Sequence, residues 1–272
     1  MQKSANGKAL SKFLDRVFNT DILELLKELP SNSIDCIYAD PDYNVGRKYN
    51  EKTYSRTFDD YISWCIKWSR ESYRVLKDTG NFFVINYPKN NAYLRIRYLD
   101  EAFYDVNEYV WVYNTNIGHS TQKFTTAHRS ILHCTKSKDN KFYKDNVAVA
   151  YQNPTDKRIK KLVSQGKKGR MPYSWLYYDL VKNVGLTKTF HSCQIPEGLS
   201  KTLIASCTQP KDMVLILFGG SGSEIVECKK MNRRYISAEI DSKYFELILK
   251  RLSLGGVVPE EYRLINTMTA RV

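Results

Sequence analysis

The sequence predicts an α/β fold, a mainly parallel sheet with helices packed on both faces. Strand-like apolar runs alternate with amphipathic helical stretches along most of the 272 residues, and such alternation builds crossover-connected parallel strands. Two of the runs end in turns rich in polar residues and glycine, Asp40-Pro41-Asp42-Tyr43 and Phe218-Gly219-Gly220-Ser221-Gly222, and ligands of open α/β sheets sit at strand carboxyl ends. A hydrophobic content of 42% supplies a core for one large domain, or for a catalytic domain with a small insert, and excludes wholesale disorder.

The elements follow in order. Ile22, Leu25, Leu26 and Leu29 recur at helical spacing, with Asp21 placed to cap the helix and Glu24 three residues later, as in a capping box. Pro30-Ser31-Asn32 breaks that pattern, and Ile34 to Ala39 is a strand that delivers the Asp40–Tyr43 tetrad. Ile62, Cys65, Ile66, Tyr73 and Leu76 share one face of a helix, Asp78 to Asn81 turn the chain, and Phe82 to Tyr87 is a buried-type strand. Val106–Tyr113 and Ser130–Thr135 are two more strands. In the last third, Glu197–Cys207 is helical, Met213–Phe218 a strand, Ser223–Met231 a helix, Arg234–Glu239 a strand ending on an acid, and Ser242–Leu252 an amphipathic helix.

Between these halves, residues 136–190 lose core periodicity and carry thirteen Lys and Arg against four acids. The densest part holds Lys157, Arg158, Lys160 and Lys161, then Lys167, Lys168 and Arg170. The whole chain has 42 Lys and Arg against 29 Asp and Glu, a formal charge of +13. A compact basic chain attracts polyanions, and the segment reads as a surface that grips a phosphate backbone, with a solvated loop as its alternative. Twenty tyrosines and four tryptophans add flat surfaces on which bases can stack. The six cysteines show no C-x-x-C pair, so a zinc knuckle and a disulfide framework both fit poorly, no metal is expected, and a reducing cytoplasm is the expected location. No apolar run approaches the length of a membrane span, and the first residues carry no apolar stretch of the secretory type.

Strand, glycine turn, helix, strand, acid is the layout of a nucleoside-binding βαβ half, with Glu239 placed to hold ribose hydroxyls. The loop lacks the third glycine of G-x-G-x-x-G and has no Gly-Lys-Ser/Thr. It also carries no Lys or Arg, while Glu224 opens the following helix. A pyrophosphate would be poorly neutralised there, whereas S-adenosylmethionine, with a sulfonium and an ammonium and no phosphate, would be tolerated. Alone, the loop is also read as a tight strand–helix turn.

The combination resembles the β-class S-adenosylmethionine-dependent DNA amino-methyltransferases, which act on adenine N6 or cytosine N4. Asp40-Pro41-Asp42-Tyr43 is similar to their (D/N/S)-P-P-(Y/F/W) signature, Phe218-x-Gly220-x-Gly222 to their F-x-G-x-G cofactor loop, and Tyr235–Asp241 to their ribose-binding strand. Phe124–Leu132 resembles a stretch that normally reads H-E where His128-Arg129 stands. The tetrad precedes a variable insert and then the cofactor loop, the circularly permuted β-class order, over about residues 17 to 254. The resemblance implies a Rossmann-like methyltransferase fold with a seven-stranded sheet. It divides the chain into a catalytic part (1–135), a basic target-recognition insert (136–190) and a cofactor-binding part of the same domain (191–272).

It also implies the roles. Asp40 and the Pro41 carbonyl would accept the hydrogens of an exocyclic amine, and Tyr43 would stack on a base flipped out of double-stranded DNA. Asp21, Ile22, Phe218, Gly220, Gly222, Gln194 and Glu239 would surround the cofactor, and Lys157, Arg158, Lys160, Lys161, Lys167, Lys168 and Arg170 would bind DNA. Asp at the head of the tetrad favours adenine N6, since cytosine-N4 members usually lead with Ser; cytosine N4 and a catalytically impaired DNA-binding relative are the alternatives. A homodimer and a cognate restriction endonuclease are partners that the resemblance brings. Three departures stand out: Asp42 replaces the second proline and adds negative charge near the target, Ile216 stands where an acid is usual, with Glu224 as an electrostatic substitute, and Ile195 replaces a lysine.

Overall fold

In chain order the elements that build the architecture are β1 (Arg16–Phe18), α1 (Ile22–Glu28), β2 (Ile34–Ala39), α2 (Phe58–Val75), β3 (Leu76–Asn86), α3 (Pro88–Leu94), β4 (Asp105–Val112), β5 (His128–Thr135), α4 (Lys157–Ser164), β6 (Trp175–Tyr177), α5 (Glu197–Cys207), β7 (Met213–Ile216), α6 (Ser223–Lys230), β8 (Arg234–Ala238) and α7 (Ser242–Ser253). This computed structural model describes residues 10–46, 48–49, 52–53, 56–114, 121–183 and 185–264.

Every residue of β2 is buried, as a central strand covered on both faces requires. Its side chains alternate between two cores. Ile37 and Ala39 pack with α1 and the Tyr61, Ile62, Cys65 and Trp68 face of α2. Cys36 and Tyr38 pack with Leu199, Leu203 and Ile204 of α5 and Ile225 and Val226 of α6. The main sheet has the order β1-β8-β7-β2-β3-β5-β4-β6. Its neighbours run parallel except at β5, which is antiparallel to both β3 and β4. Seven of these strands form the expected mostly parallel, Rossmann-like sheet; the short β6, from the basic segment, adds an eighth at one edge.

Two expected boundaries shift for local reasons. The strand expected from Phe82 begins at Leu76, and the expected turn at Asp78–Asn81 is absorbed into it by a register shift opposite Ile34 and Cys36. The strand expected to reach Phe218 ends at Ile216, because Leu217 and Phe218 already lead into the glycine loop. Within the basic segment, Asp156 accepts hydrogen bonds from Arg158 N and Ile159 N and so caps α4, a helix none of whose residues is buried. A one-turn helix at Lys144–Val147 docks on α5, with Asn146 Nδ2 donating to Ala205 O at 2.9 Å. No helix among the described residues is long and apolar enough to cross a membrane.

The chain leaves β7 toward β8 and leaves β2 toward β3, on opposite sides. That divergence opens a crevice at the carboxyl ends of β2 and β7.

Candidate functional site at the strand carboxyl ends

The crevice holds about 980 Å³ of empty space, counting its open mouth. The ends of four parallel strands supply most of its wall: Thr20, Asp21 and Ile22 after β1, Asp40–Asp42 after β2, Leu217–Ser221 after β7, and Glu239–Asp241 after β8. Asp21, Ile22, Asp40, Pro41, Phe218, Gly220 and Glu239, far apart in sequence, are thus brought to one cleft.

The glycine loop owes its path to backbone that side chains resist. Gly220 and Gly222 have φ of +52° and +79°, and a Cβ on Gly220 would lie 3.3 Å from His191 Nε2. Gly220, not Gly222, faces the cleft; Gly222 packs against Ile248 and precedes α6. The fully buried Arg251 ties the loop to the helical layer, donating to Ser221 O at 2.5 Å and to Glu197 Oε1 at 2.7 Å.

Glu239 accepts from Gly220 N (2.7 Å) through Oε2 and from Asp241 N (2.8 Å) through Oε1. Burial still pushes its carboxyl up to about 7, the backbone donors only partly offsetting the loss of water. Asp21 caps α1 by accepting from Leu23 N at 2.7 Å and also lines the cleft; Glu24 completes no capping box and pairs with Lys27 at 2.8 Å instead. Glu224, in the first turn of α6, is buried, lines the cleft, accepts from Ser200 Oγ at 3.3 Å and is pushed up to about 7 by desolvation. Ile216, where an acid is usual in relatives of the motif, is fully inside the core. Burial and the nearby Lys188 lower His191 to about 3, leaving it a neutral ring in the wall.

The tetrad is organised differently from expectation at two positions. Tyr43 is buried and outside the cleft lining; its hydroxyl donates to Asp40 Oδ1 at 2.6 Å and its ring meets Tyr87 edge-on at 5.2 Å. Asp42 does line the cleft, but Arg56 Nη1 lies 3.2 Å from its Oδ2, so the expected extra negative charge is neutralised. Asp40 is pushed well above the usual carboxylate range, first by burial, with Glu224 adding to the effect and Tyr43 and Arg129 opposing it.

Gln194 does not line the cleft. Its amide accepts from Thr189 N and Oγ1 and donates to Thr187 O, which fixes the loop that carries His191 and Cys193 into the wall. Residues not singled out from sequence include Arg56, Trp64, Ile240 and Tyr244. Arg56 stacks over Trp64 at 4.4 Å, and Trp64 meets Phe218 at 5.5 Å, forming an aromatic wall. Ile240 lies in the Tyr235–Asp241 stretch but carries no chemical signal of its own, and no local motif marks Arg56, Trp64 or Tyr244.

Six carboxyl groups line the cleft (Asp21, Asp40, Asp42, Glu224, Glu239, Asp241), against one arginine already paired. A cationic nucleoside fits that field and a pyrophosphate does not. Glu239 suits ribose hydroxyls, and Glu224 suits a positive centre.

The basic residues expected to bind DNA lie elsewhere. Lys157, Arg158, Lys160 and Lys161 are exposed on α4, and Lys167 and Lys168 are exposed on the turn after it. Arg170 is half-buried, with its guanidinium 4.1 Å over Tyr173. Next to them, Tyr173, Trp175 and Tyr177 are all about half exposed at alternate positions leading into and along β6.

Comparison with known proteins identifies the family. The N6/N4 methyltransferase family model, described as DNA methylase, matches residues 34–250. The Type II methyltransferase M.HinfI of Haemophilus influenzae is 30% identical, over 94% of this chain and 73% of its own. The DNA adenine methyltransferase YhdJ of Escherichia coli (strain K12) is 26% identical, over 88% of this chain and 83% of its own. Among solved structures, the cytosine-N4-specific PvuII DNA methyltransferase superposes with a TM-score of 0.68 at 18% identity, over 93% of this chain and 89% of that one. An M1.HpyAVI–SAM complex superposes with a TM-score of 0.61 at 20% identity, over 87% of this chain and 98% of that one. The chain belongs to this family of S-adenosylmethionine-dependent DNA methyltransferases.

Proposed function

We propose that this family member methylates adenine N6 within a short DNA site, on a base flipped out of the duplex. The observation that carries the reading is Asp40 at the end of β2, facing the cleft that holds Glu239 and Glu224. An exocyclic amine is a poor nucleophile because its lone pair is conjugated into the ring. Two acceptors on its hydrogens, Asp40 Oδ2 and the Pro41 carbonyl, turn that lone pair outward and stabilise the positive charge that develops on nitrogen. Bound S-adenosylmethionine supplies the electrophilic methyl. Glu239 holds ribose, Ile22 and Ile240 offer apolar contact to the adenine ring, and Glu224 faces the cationic end. Asp40, with its raised proton affinity, is suited to take the proton the amine must lose. The target amine lies inside a duplex, so reaching Asp40 requires extrusion of the base.

The basic residues Lys157, Arg158, Lys160, Lys161, Lys167, Lys168 and Arg170 neutralise phosphates, and Tyr173, Trp175 and Tyr177 add stacking surface. Because β6 runs parallel to β4, Tyr177 pairs with Val112 at the same carboxyl edge of the sheet as Asp40. Four strand spacings separate β2 from β6, roughly 19 Å, close to the width of a duplex. A cognate restriction endonuclease and a cytoplasmic setting belong to the same reading; several relatives are named Type II methyltransferases.

Mass spectrometry of nucleosides from DNA incubated with the protein and labelled S-adenosylmethionine tests the reading. N6-methyladenine is the expected product; N4-methylcytosine as the sole product would transfer the assignment to cytosine, and label in neither base would reject it.

A further inference from the structure

Behind Asp40, away from the cleft, stands a cation enclosed by tyrosines. The Arg129 guanidinium lies 4.1 Å from the ring centre of Tyr87 and 5.4 Å from those of Tyr43 and Tyr113. Its Nη2 donates to Tyr87 OH at 3.2 Å, and its Nη1 to Tyr113 OH and, at 3.0 Å, to His128 O. Four segments converge here: the turns after β2 and β3, the end of β4 and the start of β5. They meet because β5 runs antiparallel, which returns its first residues to the carboxyl edge of β2 and β3.

We propose that Arg129 is a positioning residue for methyl transfer: by clamping Tyr43 and Tyr87 it fixes the Tyr43–Asp40 hydrogen bond and leaves Asp40 Oδ2 directed to the target amine. The proposal rests on the adenine-methylating reading of the cleft. Tyr43 occupies Oδ1 at 2.6 Å, so the carboxylate has one preset orientation rather than two. A cation over the ring also strengthens the phenol as a donor; Arg129 opposes the upward push that burial and the Asp40 charge exert on the Tyr43 hydroxyl. The charged and titratable groups facing Asp40 are Glu224 from α6, Tyr43, Arg129 from β5 and, along β2, Tyr38. Glu224 and burial favour the protonated acid, while Tyr43 and Arg129 favour the carboxylate that the reaction needs.

The test is the pH profile of single-turnover methyl transfer, together with carbon-13 NMR titration of Asp40 assigned by Asp40→Asn. In Arg129→Met the acid limb and the Asp40 titration should both move up by about 0.5 to 1 pH unit or more, with kcat lowered, KM for DNA unchanged, and Kd for S-adenosylmethionine within about twofold of wild type. Arg129→Lys keeps charge but loses the planar fork, so kcat should fall with the acid limb near its original place. A superimposable limb and unchanged Asp40 titration in Arg129→Met would overturn the proposal, as would a rate loss that merely tracks lost cofactor affinity. Should Arg129→Met fail to fold, Tyr43→Phe removes the donor to Oδ1, and an unmoved limb and titration there overturn it equally. If the wild-type protein methylates no DNA, the functional reading fails by itself, and the Asp40 titration still decides whether Arg129, through Tyr43, sets the state of the Asp40 carboxyl.

Discussion

Arg56 pairs with Asp42 across 3.2 Å and stacks over Trp64, so the cleft residue that replaces a proline of the family motif carries its own counter-ion. Hydrogen bonds take over the rigidity a second proline would give: Tyr61 OH donates to Asp42 O at 2.6 Å, Asn44 N donates to Asp42 Oδ1 at 3.1 Å, and the Asn44 side chain bridges the Arg56 backbone. The pair is largely shielded from water, which strengthens the coupling between the two charges relative to a surface bridge and makes removal of either partner costly. In a urea-unfolding cycle, Asp42→Asn and Arg56→Met should each cost about 1 kcal/mol and show a coupling of about 1 kcal/mol. Additive losses would show the pair to be energetically silent.

Glu224 contributes least to the stability of the fold above neutral pH. Its folded value of about 7 lies above the ordinary 4.5, so the folded protein binds more protons and stability falls as pH rises between those values. Glu224→Gln should therefore unfold later in urea than wild type at pH 8, by on the order of 1–3 kcal/mol, and gain little at pH 4. The same variant should bind S-adenosylmethionine at least about tenfold more weakly, the expected exchange between stability and a charged site. Equal stability at pH 8 would mean that the buried carboxyl is not strained.

Cofactor binding should release protons. Glu224 and Glu239 both titrate near 7 in the free protein, and a cationic ligand favours their ionised forms. Affinity for S-adenosylmethionine should therefore climb from pH 5.5 to 8 and level off above. S-adenosylhomocysteine, without the sulfonium, should show a shallower climb. Calorimetry at pH 6 in buffers of different ionisation enthalpy reads the released protons directly; pH-independent affinity would contradict the placement of these two acids.

Much of this arrangement is legible in the sequence. Ile34–Ala39 and Glu197–Cys207 have the bounds their apolar patterns give, because each is bracketed by strong breakers or caps and packs into the core. Asp40, Gly220 and Glu239 converge as strand order and turn chemistry imply. What stayed hidden depends on contacts between distant segments. The side chain of Tyr43 turns from the cleft to Asp40 because Arg129 and Tyr87, 86 and 44 residues further along, form its other walls. Gln194 looks like a cofactor ligand by position, yet the carbonyl of Thr187 and the groups of Thr189 claim its amide. Helix α4 carries Ile159, Leu162 and Val163 at helical spacing, but none of its residues is buried, so this two-turn pattern among lysines does not read as part of a core.

The proposed nucleic-acid surface should separate into an electrostatic and a stacking part. Lys160→Gln with Lys161→Gln should weaken DNA binding and reduce the slope of log affinity against log salt by about 2, one phosphate per lysine. Trp175→Ala should weaken binding by roughly 5- to 100-fold with the slope unchanged. Neither should alter S-adenosylmethionine affinity. Salt-dependent fluorescence anisotropy measures both, and a tryptophan variant with wild-type affinity would remove β6 from the interface.

The most direct measurement is single-turnover methyl transfer by Asp40→Ala with both S-adenosylmethionine and DNA saturating. Loss of a side chain that stabilises charge only in the transition state predicts a rate about 10²- to 10³-fold lower or worse, with dissociation constants for cofactor and DNA within about twofold of wild type. A rate within tenfold of wild type would show that Asp40 does not grip the amine.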